Sequence, residues 1–237
     1  PKEIGLPFYC LMRSNTLTDE MAKLLRGAGC VSIGMSVEAG DERIRNTILK
    51  RGLTDEVVRE SFMVARKYGI ATWGNTILAI PDTTWDDDYN SFLFTRTLKM
   101  TAPTFRIFIP YDKTELTEFA VDLGVLAEGA GTDHEGGELS PLSCFTPGDK
   151  LKQVNLSYLG TIFCDLPASF LPMLKWLLKR KWTWLYKSVG TGYLTLKVGR
   201  YVFPGIYPLN PSRLWSFMVE SIRFFAPRKK AKARAKP

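Results

Sequence analysis

Between Pro7 and Gly124 one pattern occurs four times: a short apolar run, a polar tip, then a helical stretch closed by glycine. Strands that alternate with helices cannot pair as hairpins, so the pattern predicts a parallel sheet with its helices packed outside. The first unit has Phe8 to Met12 as strand and Thr18 as helix cap. Asp19 and Glu20 follow in the first turn, Met21, Leu24, Leu25 and Ala28 fall at helical spacing, and Gly29 is the left-handed stop. The second has Val31 to Val37 as strand, a short helix after Asp41, the turn Lys50-Arg51-Gly52, and a helix capped by Thr54 that ends at Gly69. The third runs from Ile70 to Ile80 and turns at Pro81 into a helix capped by Thr84, with Asp86, Asp87 and Asp88 near its positive end. The fourth is Thr104 to Ile109, then Pro110-Tyr111 and a helix capped by Thr114. Four such units make half a barrel. The expected fold is α/β, a partial (β/α) TIM-like barrel over residues 1–124.

Beyond Gly124 the pattern stops. Residues 125–148 are rich in Gly, Glu, Ser and Pro and read as a linker, which holds the single histidine, His134. Residues 149–227 are expected to form a basic helical C-terminal extension, and 228–237 a disordered basic tail. Charge divides the chain at the same place. Residues 1–148 carry 15 Lys or Arg against 21 Asp or Glu, residues 149–227 carry 11 against 3, and the last ten carry 6 against none. An acidic front and a basic back face different partners. Asp165, Pro167 and Pro172 interrupt the apolar stretch from Lys150 to Lys181, so no run of ~20 apolar residues is present to span a bilayer. Trp176, Trp182 and Trp184, interleaved with Lys175, Lys179, Arg180, Lys181 and Lys187, instead make an amphipathic basic surface. Cys10, Cys30, Cys144 and Cys164 are too widely spaced for a zinc knuckle or a redox pair, and the expected setting is cytoplasmic, peripheral to a membrane through the basic region. A chain that starts at Pro1, directly before a strand, is expected to be a fragment of a longer protein.

In parallel βα architectures ligands bind at the carboxyl ends of the strands, where loops and helix N-termini converge. The residues there are Arg13-Ser14-Asn15, Ser36-Val37-Glu38-Ala39-Gly40, Asn75 onward to Ile80-Pro81, and Pro110-Tyr111. Alternation along a strand puts Ser36 and Glu38 on one face and Asn75, Ile77 and Ala79 together on theirs, so that a carboxylate, a hydroxyl and an amide converge.

The runs Arg13 to Met21, Leu25 to Cys30, Ile33 to Asp41, Leu49 to Gly52, Ile77 to Thr84 and Pro110 to Leu116, taken in order, resemble the radical S-adenosylmethionine (SAM) enzymes, specifically their cobalamin-binding-domain branch. The resemblance covers the first half of the chain and implies the third to sixth strands of the family's open barrel. It implies a cofactor-binding set of Ser36, Glu38, Arg51, Asn75 and Ile80. In that set Glu38 reaches the methionyl amine or ribose of SAM, Arg51 pairs with its carboxylate, Asn75 lies near the ribose, and Ile80 meets adenine through its backbone. A zwitterionic sulfonium ligand needs both a carboxylate and a guanidinium, which fits this set. The chain departs from the family in having Ala79 where Gly is usual, Thr84 where Glu is usual and Lys113 where Gly is common. It also lacks, anywhere in its sequence, the CxxxCxxC loop whose thiolates hold the family's 4Fe–4S cluster.

The resemblance therefore implies a fragment of a cobalamin-dependent radical SAM enzyme. Such enzymes cleave SAM reductively and methylate or rearrange an unactivated carbon of a small-molecule or lipid-like substrate. SAM is the cofactor of this part, with the cluster and cobalamin expected in the full-length protein. Two other readings stand beside it. A methylthiotransferase-like radical SAM enzyme acting on RNA would use the basic tail on nucleic acid. A non-catalytic membrane-surface or binding module would work through residues 149–237.

Overall fold

A computed structural model describes residues 6–127 and 139–204. Four parallel strands, β1 (Phe8–Leu11), β2 (Cys30–Gly34), β3 (Ala71–Leu78) and β4 (Ala102–Ile107), lie side by side in chain order. The order follows from the βα repeat, since each right-handed crossover returns the chain to the next position along the sheet. The helices between them are α1 (Asp19–Gly27), α2 (Asp55–Lys67) and α3 (Trp85–Thr97), and α4 (Glu115–Asp122) follows β4. Then come α5 (Pro147–Asp165), α6 (Leu171–Leu177) and α7 (Thr183–Lys197). The result is an α/β partial barrel, as the repeat predicts. The linker around His134 and the tail from Arg228 lie outside the described residues.

Local chemistry sets the helix starts. The hydroxyls of Thr18 and Thr54 accept from the backbone N–H groups of Met21 and Val57. Thr84 with Asp87, and Thr146 with Asp149, form reciprocal capping boxes. Thr114 instead donates its hydroxyl to the Tyr111 carbonyl, and no side chain caps α4. Gly29, Gly52 and Gly69 stop their segments at positive φ. The first helix turns differently from its sequence pattern: Ala22 is its buried residue, while Met21 and Leu24 face solvent.

One face of the sheet is packed under helices. Ile33, Met35 and Cys30 meet Val58 and Phe62 in a first apolar cluster. Leu78 and Phe105 meet Phe92, Leu156, Leu159 and Phe163 in a second, so α5 lies in the same outer layer as α3. The Thr161 hydroxyl donates to the Pro103 carbonyl at 2.7 Å, tying α5 to β4. The other face is crossed by the last described segment, where the Ser32 hydroxyl donates to the Val202 carbonyl at 2.7 Å and the Phe203 ring stands against Tyr9 and Trp73. The Trp and Lys stripe lies on two helices, α6 and α7, separated by the turn after Leu178.

Candidate functional site

The site lies where β2 and β3 end. Past Gly34 the chain does not alternate as an extended strand would, because the N–H groups of Val37 and Glu38 both reach the Asn75 carbonyl at 3.1 Å. Two donors on one acceptor form a bulge-like irregularity, and Glu38 takes φ 66 to make it. The expected common face of Ser36 and Glu38 is therefore re-aimed at Glu38. The Glu38 carbonyl in turn accepts from the Ile77 N–H at 2.7 Å, so the backbone of Glu38 is clasped between Asn75 and Ile77.

Around that clasp the charges are linked. A guanidinium nitrogen of Arg51 lies 3.3 Å from a Glu38 carboxylate oxygen. Arg13, just past the end of β1, donates from its guanidinium to the Arg51 carbonyl at 2.6 Å. Burial pushes the Glu38 carboxyl above the usual carboxylate range, and the Arg51 guanidinium opposes that shift. Asn75 is held from two sides. Its N–H donates to the Ser36 hydroxyl at 3.3 Å, and its side-chain oxygen accepts from the Thr104 hydroxyl of β4. Ile80 is buried beside Ala39 and Ile44, and its carbonyl accepts the Thr83 hydroxyl at 2.8 Å. The five residues singled out from the sequence thus cluster at one end of the sheet.

Several residues that the sequence reading passed over hold this arrangement. Arg45 is completely buried. It donates to the carbonyls of Leu53 and Ala39, each at 2.9 Å, and to the Asp55 carboxylate, so one guanidinium fixes both ends of the loop that carries Arg51. Asp88, read as a helix-dipole residue, turns inward. Its carboxylate accepts from the Ala79 N–H at 2.8 Å and from the Gln153 amide at 2.7 Å. Burial raises it to about 7, with Asp87 and Asp149 adding to the rise and its two donors opposing it. Ala79 has φ 58, a backbone state suited to glycine, and the Asp88 bond fastens it there beside Ile80. The signal was present: Asp88 is in helical register with the buried Ser91, Phe92 and Thr95.

The donor set suits a zwitterionic nucleoside ligand such as SAM, with a half-buried carboxylate, a guanidinium and an amide gathered at a strand end. It does not suit an iron–sulfur cluster. Cys10 and Cys30 lie on neighbouring strands, Cys144 in a loop and Cys164 on α5. Burial pushes the thiols of Cys30 and Cys164 up to about 12, far from the thiolate state that iron binding needs. Among the described residues no three His, Cys, Asp or Glu side chains gather at metal-binding spacing.

Comparison with known proteins agrees with the fold and with the resemblance. Residues 3–93 match the model of the Radical SAM superfamily. An uncharacterized methyltransferase of Pyrococcus horikoshii is 29% identical over 109 residues, 46% of this chain and 24% of that protein. Among solved structures, the radical S-adenosylmethionine methyltransferase TsrM of Kitasatospora setae, with cobalamin and a 4Fe–4S cluster bound, shares the fold. Its TM-score is 0.50 at 15% identity, over 92% of this chain and 47% of that one. The chain spans about a quarter of that curated relative and about half of that structure.

Proposed function

We propose, from a chain whose residues 3–93 match the radical SAM superfamily, that it is the SAM-binding half-barrel of a cobalamin-dependent radical SAM enzyme that methylates or rearranges an unactivated carbon of a small-molecule or lipid-like substrate. The observation that carries this reading is the Glu38–Arg51 pair, clasped against Asn75 at the carboxyl end of the sheet. SAM, when bound, supplies an activated sulfonium for methyl transfer or radical chemistry. In this reading the Glu38 carboxylate takes the methionyl ammonium or a ribose hydroxyl, and Arg51 takes the SAM carboxylate. Ser36 and Asn75 orient the ribose, and the Ile80 backbone flanks adenine. Cluster and cobalamin are assigned to parts of the protein other than these residues, and no step of this proposal runs through them.

The test is calorimetric titration of SAM, with S-adenosylhomocysteine as the uncharged-sulfur control, into the chain and its Glu38→Ala and Arg51→Ala variants. Removing one partner of a charge-assisted contact is expected to cost ~1–3 kcal/mol, about one to two decades of affinity, while circular dichroism stays unchanged. Unchanged dissociation constants in both variants would refute the assignment of these residues.

A further inference from the structure

The strongest feature outside the strand-end site is the α6–α7 hairpin. Its inner side is pinned. Leu174, Leu178 and Tyr186 are buried in the cluster beneath α5. The amide of Asn155, itself fully buried on α5, donates to the carbonyls of Leu178 at 2.9 Å and Arg180 at 2.8 Å, and its oxygen accepts the Thr183 hydroxyl at 2.9 Å. The turn is thus held in one shape by a residue of another helix.

The outer side is apolar and cationic together. Phe170, Met173, Trp176, Trp182, Trp184 and Leu185 are each at least 40% exposed, and Trp184 reaches 73%. The Trp176 and Trp182 rings meet edge to face at 5.8 Å, with the Arg180 guanidinium 4.2 Å over Trp176. Such a concentration of large exposed apolar side chains marks an interaction surface. The surrounding charge says of what kind. Residues 166–204 hold seven Lys or Arg and no Asp or Glu. The chain's own last ten residues, with six Lys or Arg and no Asp or Glu, carry the same sign of charge and do not complement this patch. An occupant must therefore be anionic and must accept Trp, Met and Leu side chains. Nucleic acid offers the charge and a stacking partner for Trp, but nothing for the aliphatic side chains. A bilayer interface offers both, with Trp at headgroup level and Lys and Arg toward the phosphates. No helix among the described residues is long and apolar enough to cross a membrane, so the hairpin would lie in the interface plane.

We propose that the α6–α7 hairpin docks the chain on an anionic bilayer surface, with Trp176, Trp182 and Trp184 in the interface and Lys179, Arg180 and Lys181 on the headgroups. The proposal does not depend on the SAM site. It is tested by cosedimentation of the full chain with vesicles of phosphatidylcholine alone and of phosphatidylcholine with phosphatidylglycerol, over a salt series, with Trp emission as the insertion probe. Binding is expected on the anionic vesicles only, with a blue shift that Trp184→Ala reduces. Lys179→Glu, Arg180→Glu and Lys181→Glu together are expected to weaken binding at least about tenfold, since each base near such a surface contributes ~1 kcal/mol. Equal binding to both vesicle types, or to the triple variant and the parent, would overturn the proposal. So would preferential capture by single-stranded RNA, or a concentration-dependent dimer that the same substitutions abolish in the absence of vesicle binding.

Discussion

Asp88 carries an unusual burden for a carboxylate. It is 3% exposed, and among the described residues its hydrogen-bond partners are neutral donors, the Ala79 N–H and the Gln153 amide. Its pKa rises from 3.8 to about 7 on folding. The folded chain therefore keeps this proton to higher pH than the unfolded chain does. Stability then falls as pH rises from about 4 to about 7, opposite to the usual behaviour of a salt-bridged acid. Asp88→Asn keeps an acceptor for Ala79 and cannot ionise. The difference in urea unfolding free energy between Asp88→Asn and the parent should grow in favour of the variant through that window and level off above it. A difference that stays constant from pH 4 to 8 would mean that Asp88 is not the buried acid described above. Arg45 makes a second residue-scale case, because it is the sole side chain that bonds the carbonyls of both Ala39 and Leu53 among the described residues. Arg45→Met should lower stability by ~3 kcal/mol by stranding the Ala39 carbonyl, leaving the Leu53 carbonyl to the Asn46 amide at 3.1 Å, and loosening the loop that carries Arg51. Chemical denaturation measures the loss, and a change below ~1 kcal/mol would contradict the clamp.

Helix on helix, the closest approach is made by glycine. A Cβ on Gly190 of α7 would lie 2.2 Å from the Tyr158 carbonyl oxygen of α5, and one on Gly160 would lie 2.4 Å from the Phe105 ring beneath it. Alanine normally stabilises a helix interior by ~1 kcal/mol over glycine, so the sign of a substitution shows whether the contact or the propensity wins. At Gly190 the obstacle is backbone, which cannot rotate aside, and Gly190→Ala should destabilise by ~1–3 kcal/mol. Thermal unfolding at constant pH is the measurement, and a raised midpoint would show that α7 can lift from α5 freely. Such lifting would also matter for the hairpin, whose pose follows from where α5 holds α7.

At the scale of the molecule, the four cysteines are spread over two strands, a loop and α5, with two thiols held neutral by burial. Anaerobic reconstitution of the chain with iron and sulfide should therefore leave it without a stoichiometric 4Fe–4S cluster. Iron and sulfide analysis with visible absorption would expose the opposite outcome. The two ends of the described chain also meet: the Ser32 hydroxyl bonds Val202 across 170 positions, closing the uncovered face of the sheet near Tyr9 and Trp73.

The sequence alone determined the four βα units, their parallel order and the strand ends, while the gathering of Ser36, Glu38, Arg51, Asn75 and Ile80 there is what the family resemblance implied. The units, their order and the strand ends follow from local periodicity, capping hydroxyls and glycine stops, all of which are written within a few residues of where they act. Only the tertiary structure decided the rest. The inward turn of Asp88 is set by its register with Phe92, and its use by Gln153, 65 positions later. The burial of Arg45 depends on carbonyls at Ala39 and Leu53 that only the folded loop brings together. The split of the Trp and Lys stripe into two helices depends on Asn155, whose amide satisfies the turn carbonyls from outside that stretch. Each is a polar group whose partner lies beyond its own element, and no periodicity in a linear sequence records such a pairing.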